Sequence, residues 1–163
     1  MTVTITTQKL SLAHCRDYLR QNSTPIGNGF WAVKNDLKVW KTTHDPSYEQ
    51  TIVALRIPAG ATVFAQEDTN TDYIETRKMR ASAAFVEKQF RIGSTSIARE
   101  VQPYVFSWKY KEVREIPRSC SNNYDFWYET GKTVTPRFPF SLEREQCVSG
   151  IHFFVNLYDA LIY

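Results

Sequence analysis

The sequence is poor in the residues that build disulfide-rich or metal-dependent proteins. Its 163 residues include only three cysteines and three histidines. Cys15, Cys120 and Cys147 are widely spaced and form no Cys-x-x-Cys pair, so neither a disulfide framework nor a standard zinc site is indicated. We therefore predict that the protein needs no metal and no cofactor, and that its thiols suit a reducing cytosol.

Long hydrophobic runs and a charge excess of one sign are also missing. No window approaches the roughly 18 consecutive apolar residues of a membrane span, and the opening MTVTITTQKL lacks the apolar core of a signal peptide. Because 20 basic residues stand against 17 acidic ones, the net charge is only +3. Domains that bind nucleic acid usually show a strong basic excess on one face. The sequence thus predicts a soluble intracellular protein that contacts neither membrane nor nucleic acid.

Aromatic residues, by contrast, are plentiful and make up 14% of the chain. They favour a protein rich in strands or in interfaces. A chain of this length buries about two-thirds of its unfolded surface without disulfides or metals. We predict a single domain over 1–163, and its oligomeric state stays open.

Helical and alternating patterns divide the first half of the chain into elements. SLAHCRDYLRQN, at 11–22, has apolar residues at helical spacing and predicts a short amphipathic helix. GFWAVKNDLKVWK, at 29–41, contains two alternating runs joined at Asn35-Asp36, which predicts a hairpin. TIVALRIPAGATVFAQ, at 51–66, likewise predicts two strands, here joined by a Pro-Ala-Gly turn. RKMRASAAFVEKQFRI, at 77–92, fits either a helix or a strand, and we favour the strand.

The remaining segments are strands and loops. VQPYVFSWKYKEV, at 101–113, alternates and predicts a strand, whereas EDTNTDYIETRK, at 67–78, and PRSCSNN, at 117–123, predict loops. YDFWYETGKTVTP, at 124–136, predicts a strand, a turn at Gly131 and a second strand. Together these segments predict an α+β fold with a mostly antiparallel sheet and one or two short helices.

The closing segment CVSGIHFFVNLYDALIY, at 147–163, predicts a strand that leads into a short helix. Asn156 suits the N-cap, and the acidic Asp159 follows at the third helical position. We expect the apolar residues of this segment to fill the core. The alternative is a ligand pocket, because polar groups that converge in an apolar cleft often mark a binding site. Its residues would be Gly150, His152 and Tyr163.

Residues suited to nucleophilic catalysis are few and form no known motif. His14 lies beside Cys15 on a predicted helix, and we interpret this as a coincidence of the helix face. His44 lies in KTTHDPS and fits a turn. We therefore predict no catalytic residue. The runs RKMR, at 77–80, and WKYKEVREIPR, at 108–118, mix basic and aromatic residues, and we interpret them as solvated strand faces because glutamates adjoin them.

Four segments in the last two-thirds of the chain resemble an uncharacterised domain family of large DNA viruses and phages. They are VALRIPAGATVFA, RKMRASAAFVEKQF, YDFWYETGKTVTP and EREQCVSGIHFFVNLYDALIY. That family often accompanies pentapeptide repeats and ends in Cys-x-x-Gly-Ile-His-Phe-Phe, followed by an Ala-x-x-Tyr helix. The matching residues are Cys147, Gly150, Ile151, His152, Phe153, Phe154, Ala160 and Tyr163. The resemblance implies a viral origin and a virion or accessory role, but no assigned chemistry.

The closing segment alone is similar to the nicotinamide-binding strand and helix of ADP-ribosyltransferases. In those enzymes a tyrosine thirteen residues beyond the glycine stacks on nicotinamide, and Tyr163 follows Gly150 at this spacing. Ala160 stands where those enzymes have a hydroxyl residue, and His152 replaces a tyrosine. The similarity implies a degenerate ADP-ribosyltransferase-like core in which catalysis is lost or rearranged.

These observations favour a non-catalytic viral structural or interaction module, capsid-associated or bound to a host protein, in the virion or the host cytoplasm. The protein partner would contact surplus aromatic residues, since tryptophan and tyrosine often dominate binding energy. The candidate interface residues are Trp31, Trp40, Trp108 and Trp127. The alternative function is nucleotide or NAD binding by an ADP-ribosyltransferase-like fold.

Overall fold

The structure is a computed structural model that describes residues 2–67, 72–92, 96–121, 126–145 and 147–163. Within these ranges it contains three helices, which are α1 (Leu12–Asn22), α2 (Ile74–Arg77) and α3 (Leu157–Ile162). The strands are β1 (Val3–Gln8), β2 (Ser23–Gly27), β3 (Phe30–Val33), β4 (Leu37–His44), β5 (Gln50–Ile57), β6 (Thr62–Phe64), β7 (Met79–Ala81), β8 (Ala84–Arg91), β9 (Ser96–Gln102), β10 (Val105–Tyr110), β11 (Arg114–Glu115), β12 (Arg118–Cys120), β13 (Trp127–Glu129), β14 (Thr133–Val134) and β15 (Ile151–Phe153).

The strands form three antiparallel sheets. The largest has the order β11-β8-β5-β4-β12-β13, with β14 paired to β8, and the second has the order β15-β7-β6-β3-β2. The third is the short sheet β1-β10-β9. The predicted α+β class with mostly antiparallel strands is therefore confirmed. The described residues contain one helix more than expected, because the four-residue α2 forms inside the predicted loop 67–78.

Two apolar clusters hold these sheets together. The first lies between the two larger sheets and combines Val39 and Leu55 of one with Val63 and Phe153 of the other. The second lies between the short sheet and α3, where Trp108 and other apolar side chains meet Leu161 and its neighbours. The C-terminal segment contributes to both clusters, so the expectation that it fills the core is confirmed.

The predicted hairpin at 29–41 is wrong, although both strands exist. β3 pairs with β2 and β6 in one sheet, whereas β4 pairs with β5 in another. The carbonyl of Asn22, at the end of α1, accepts hydrogen bonds from the amides of Lys34 and Asn35 at 2.9 and 3.1 Å. This contact fixes the connection as a corner between sheets. The strands predicted over 51–66 also exist but form no hairpin, since β5 pairs with β4 and β8 whereas β6 pairs with β3 and β7. Their turn at 58–60 lies at the same corner, where the Gly60 amide donates to the Val33 carbonyl at 2.9 Å.

Two further local predictions are corrected by tertiary contacts. In the predicted loop 117–123, the described part contains β12, which pairs with β13 and is held by a 2.7 Å hydrogen bond between the Ser119 and Thr43 hydroxyls. Residues 122 and 123 lie outside the described residues. The run 77–80 is no solvated face, because all four of its side chains are buried. The strand predicted over 77–92 is confirmed as β7 and β8.

The closing segment forms as predicted. β15 pairs with β7, and Asn156 caps α3 by accepting from the Tyr158 amide at 3.3 Å. Phe154 then pairs with Trp40 through two 2.8 Å backbone hydrogen bonds, which join the segment to β4. Among the described helices, none has the length and apolar composition that crossing a membrane requires.

Candidate functional site

Arg80 organises the loop that carries the candidate site. Arg80 lies on the three-residue strand β7, and its side chain is fully buried. Its guanidinium donates hydrogen bonds to four backbone carbonyls, which belong to Ser141, Glu143, Glu145 and Ser149. Buried charges normally have a partner of this kind, since desolvation without one is costly. One cation thus fixes both ends of the chain segment 141–149.

Gly150 gives this arginine its space. A Cβ atom at Gly150 would lie 2.9 Å from Arg80 Cβ and 3.1 Å from Arg80 Cδ, closer than side chains tolerate. The guanidinium carbon in turn lies 4.7 Å from the Phe64 ring centre and 4.8 Å from that of Phe140. Cation–π contacts at this distance are favourable. The glycine of the closing segment is therefore explained by packing against Arg80.

The 141–149 loop and its neighbours line an open cavity of about 300 Å³. We call it the lysine cavity. Its wall is formed by Lys41, Ser121, Phe126, Tyr128, Pro136, Arg137, Phe138, Cys147, Val148, Ser149, Gly150, Ile151 and His152. Among these residues, Lys41, Arg137 and His152 are permanent or potential cations, and none is a carboxylate. The wall therefore combines positive charge with an aromatic and apolar surface.

Lys41 is the most perturbed charged group of this wall. On β4 it shares the inward face with Leu37, Val39 and Thr43, which are buried, and Lys41 itself is half-buried. Burial, and to a lesser extent the charge of Lys78, lowers the pKa of Lys41 to about 8. A lysine held this way is partly neutral near physiological pH.

The Lys41 ammonium has few contacts within the described residues. It donates to the His152 carbonyl at 3.0 Å and lies 5.7 Å from the centre of the Tyr128 ring. An ammonium has three N–H donors, so this leaves donors that the described residues do not fill. Burial raises the pKa of the Tyr128 hydroxyl, so this ring stays neutral beside the lysine.

The three residues of the predicted ligand pocket do not line one cavity. Gly150 and His152 lie on the wall of the lysine cavity, and His152 stands opposite Arg80 in the β15–β7 pair. Tyr163 lines a second cleft of about 400 Å³, together with Thr42, His44, Tyr48, Gln50, Leu161 and Ile162. The Tyr163 ring packs on Phe154, with ring centres 5.1 Å apart.

Lys78 connects the two regions. Its ammonium donates to the Tyr163 hydroxyl at 3.1 Å, lies 3.9 Å from the Cys147 sulfur and pairs with Glu75 at 3.1 Å. Burial alone would lower the pKa of Lys78, but the contacts with Tyr163 and Glu75 raise it above its ordinary value. Lys78 is therefore a charged, structurally engaged lysine, unlike Lys41.

The four predicted interface tryptophans are placed differently from one another. Trp31 and Trp40 are half-buried against the first and second cluster, respectively. Trp127 is also half-buried, and the Arg118 guanidinium stacks on it at 3.9 Å. Trp108 is only 5% exposed inside the second cluster, so it would have to leave the core to touch a partner. Their interface role stays a prediction.

More exposed rings and apolar side chains lie elsewhere. Tyr48 is 78% exposed, and Ile162 and Tyr163 are 49% and 46% exposed around the same second cleft. We call these three residues the tyrosine patch. The sequence pattern pointed to Tyr163 but gave no reason to choose Tyr48, which lies in a turn far from α3 in the chain.

The sequence did contain a signal for Lys41 that our interpretation missed. Strict alternation along β4 places Lys41 on the face of Leu37 and Val39, so its inward position follows from the period of two. No such signal existed for Arg80, whose carbonyl partners lie more than 60 residues away. Among the described residues, no group of three or more His, Cys, Asp or Glu side chains is arranged to hold a metal ion.

These features define an antiparallel α+β protein with an arginine-organised loop, a positively charged cavity and an exposed aromatic patch. Residues 29–160 match the model of DUF5758, a family of unknown function, and the chain belongs to this family. The predicted resemblance to an uncharacterised family is confirmed in this form. No curated protein and no solved structure matches the chain.

Proposed function

We propose that this protein is a non-catalytic interaction module that binds a protein partner through the tyrosine patch. The observation that carries the proposal is the clustering of Tyr48, Ile162 and Tyr163 around one open cleft. Exposed apolar and aromatic groups that cluster often mark interaction sites, whereas single exposed ones need no explanation. Tyrosine is also among the residues that most often dominate binding energy.

The backbone at Tyr48 has an unfavourable conformation. Tyr48 has a φ of 65°, a left-handed conformation that favours glycine or asparagine. Holding a larger side chain there costs about 1 kcal/mol. Because the ring is 78% exposed, the little surface that it buries offsets only a small part of this cost. Tyr104 has the same φ and is also exposed, so Tyr48 differs from it by lying beside Ile162 and Tyr163 at one cleft.

The chemistry of the cleft defines the partner's anchor. Leu161 is buried at its base, whereas Thr42 and Gln50 line it with polar groups. This arrangement suits a protein segment that inserts one apolar side chain between the tyrosines and forms hydrogen bonds at the polar side. We infer a protein partner, viral or host, rather than a nucleic acid, since the net charge is only +3.

The matched variants Tyr48→Gly and Tyr104→Gly test this proposal. Tyr104 also has a φ of 65° and is 66% exposed, but it lines a different cleft. Each change relieves the backbone, so we expect each free energy of unfolding to stay level or rise by up to about 1 kcal/mol. Binding of a purified partner should weaken at least tenfold with Tyr48→Gly and stay unchanged with Tyr104→Gly.

The partner itself is identified by affinity capture from cells that express the protein, followed by mass spectrometry. A candidate partner is a protein that the wild-type chain captures, and we expect the Tyr104→Gly variant to retain it and both Tyr48→Gly and Tyr163→Ala to lose it. It must then bind the wild-type chain in purified form. Equal binding of that purified partner to all variants would overturn the proposal.

A viral origin and a virion or host-cytoplasm location belong to the same proposal. They are supported by the resemblance of the Cys147 to Tyr163 segment to domains of large DNA viruses and phages. Mass spectrometry of purified virions tests the location: detection of the chain with the capsid proteins supports a structural role. Detection only in infected-cell extracts supports a host-interacting role.

Nucleotide or NAD binding is the second candidate function. It is favoured by one observation, which is that Gly150 and His152 share the cavity wall with Lys41 and Arg137, two groups that can pair with phosphates. Titration calorimetry with NAD and ADP-ribose tests it. Saturable binding that is lost on changing Lys41 or Arg137 supports this candidate, and no heat at millimolar ligand argues against it.

A further inference from the structure

The lysine cavity contains a charge that the described residues do not neutralise. Lys41 Nζ lies within hydrogen-bond distance of one acceptor, the His152 carbonyl at 3.0 Å, and this acceptor carries no full charge. No salt bridge to Lys41 exists among the described residues. Inward-facing charges in proteins are usually paired, because an unpaired one carries the whole desolvation cost.

The rest of the wall suits the body of a small ring compound. Phe126, Tyr128 and Phe138 supply aromatic surface, and Val148 and Ile151 supply apolar surface. Phe126 and Tyr128 pack edge to face with ring centres 5.1 Å apart, so this part of the wall is preformed. A volume of about 300 Å³ is at the lower end for ligand sites and fits one ring with substituents.

We propose that the lysine cavity binds a small aromatic anion, a carboxylate or phosphate monoester on a single ring, whose negative group pairs with Lys41 beside Arg137. The ring would lie against Phe126 and Tyr128. The inference deepens the second candidate function, because a nucleotide is a larger member of the same ligand class, but it does not require one. It is independent of the tyrosine patch.

The charge state of Lys41 gives this proposal a distinctive signature. The pKa of Lys41 is lowered to about 8 in the free protein, so an anion that binds the ammonium must draw a proton into the site above that pH. Affinity should then fall by up to about tenfold per pH unit above pH 8. A purely structural lysine would give no such dependence.

The effect of Lys41 on the pH dependence must be distinguished from the effects of the other titratable and charged groups around it. They are Tyr128 on β13, Arg137 before Phe138, Cys147 and His152 on the segment leading into β15, and Lys78, whose charge acts on Lys41 from a distance. Substituting Lys41 alone leaves these groups in place, so the difference between wild type and variant isolates the lysine.

The experiment uses phenyl phosphate, which carries one aromatic ring and a phosphate, and the full chain in titration calorimetry from pH 7 to pH 9.5. The phosphate keeps its second charge over this range, because its second pKa is about 6. We compare wild type with Lys41→Met, with Arg137→Met and with the control Lys38→Met. Lys38 lies on the same strand but points outward and is exposed.

We expect wild type and Lys38→Met to bind saturably, with affinity that falls above pH 8. Lys41→Met should bind about tenfold or more weakly at pH 7 and should lose the pH dependence, since a hydrogen bond to a charged group is lost. Circular dichroism of each variant checks that it is folded. If Lys41→Met is not folded, Lys41→Arg takes its place: it should still bind at pH 7 but without the fall above pH 8.

Equal binding by wild type and Lys41→Met, a pH-independent affinity in wild type, or no saturation at millimolar ligand would each overturn the inference. Failure of the two proposed functions is recognised separately. A protein that binds phenyl phosphate but neither NAD nor ADP-ribose removes only the nucleotide candidate. Capture of the protein partner does not depend on Lys41 and reports on the tyrosine patch alone.

Discussion

At the scale of single residues, close packing explains the glycine of the closing segment. Among the described glycines, Gly150 alone lies against a buried side chain and has no left-handed backbone angle of its own. Its role is to let the Arg80 side chain lie flat against the chain while the guanidinium reaches the loop carbonyls. The sequence alone suggested a ligand-binding glycine, because the residue that needs the space lies 70 positions earlier.

Gly150→Ala tests this explanation. The added Cβ would meet Arg80 Cβ at 2.9 Å, an atom attached directly to the backbone that cannot rotate away. We expect the free energy of unfolding to fall by about 1–3 kcal/mol, as in other overpacked sites. Urea denaturation measures the loss, and limited proteolysis should show earlier cleavage within 141–149. The comparison variant Ser121→Ala, which also lines the cavity but lies outside that loop, should leave the loop as resistant as in wild type.

At the scale of elements, a buried ion pair holds α3 against α2. Arg77 donates to both carboxylate oxygens of Asp159 at 3.2 and 3.1 Å, and both side chains are almost fully buried. Arg77 also pairs with the more exposed Asp72 at 2.7 Å and donates to the Leu10 carbonyl. Burial raises the pKa of Asp159, and Arg77 offsets only part of this effect. α3 therefore depends on a partner from a segment that looked like a loop.

Arg77→Met should be far more damaging than Asp72→Asn. Removing one partner of a buried pair costs about 3–5 kcal/mol. Asp72 is 47% exposed, and its loss leaves Arg77 paired with Asp159, so we expect a smaller effect from Asp72→Asn. In the Arg77→Met variant Asp159 stays buried without its cation, so its folded-state pKa remains above the unfolded one. Such a group contributes stability at low pH and loses it as pH rises through the folded pKa.

The destabilisation by Arg77→Met should therefore be smaller at pH 5 than at pH 7, as measured by urea denaturation at both pH values. Asp72→Asn should show a small effect at either pH. A loss in Arg77→Met that is equal to that in Asp72→Asn, or larger at pH 5, would mean that the ion pair does not support α3.

At the scale of the whole molecule, burial divides the cysteines into two classes. Cys15 and Cys120 are buried, whereas Cys147 is exposed. Burial first, and the charge of Asp159 second, raise the pKa of Cys15 to about 12, and burial raises that of Cys120 as well. Thiolates are the reactive form, so both buried thiols should be inert in the folded state.

A thiol-reactive disulfide reagent should accordingly titrate one fast thiol in the native protein and three in urea. Replacing Cys147 by Ser should remove the fast phase and leave the slow one. Because the buried thiols react only when the structure around them opens, their rate reports on that opening. Two or three fast thiols in the native protein would show that the structure around Cys15 or Cys120 opens readily.

The sequence predicted the features that depend on residues close together in the chain, and it failed where distant residues decide the structure. The helix at 11–22, the strands of β5, β8 and β10 and the cap at Asn156 follow from periodicity and local hydrogen bonding, and all were predicted. Whether β3 and β4 form a hairpin did not follow, since identical alternation serves both a hairpin and a corner between sheets. The hydrogen bonds from Lys34 and Asn35 to the Asn22 carbonyl favour the corner over the hairpin.

The sequence by itself determined the fold class and the core role of the closing segment, because apolar period and turn residues act between neighbours in the chain. Only the tertiary structure decided that Arg77 and Arg80 are buried, that Lys41 faces a cavity and that Tyr48 joins Tyr163 at one cleft. The physical reason is that a charge can be buried only where distant carbonyls or carboxylates neutralise it. Such partners are brought together by sheet pairing over tens of residues, which no local pattern records.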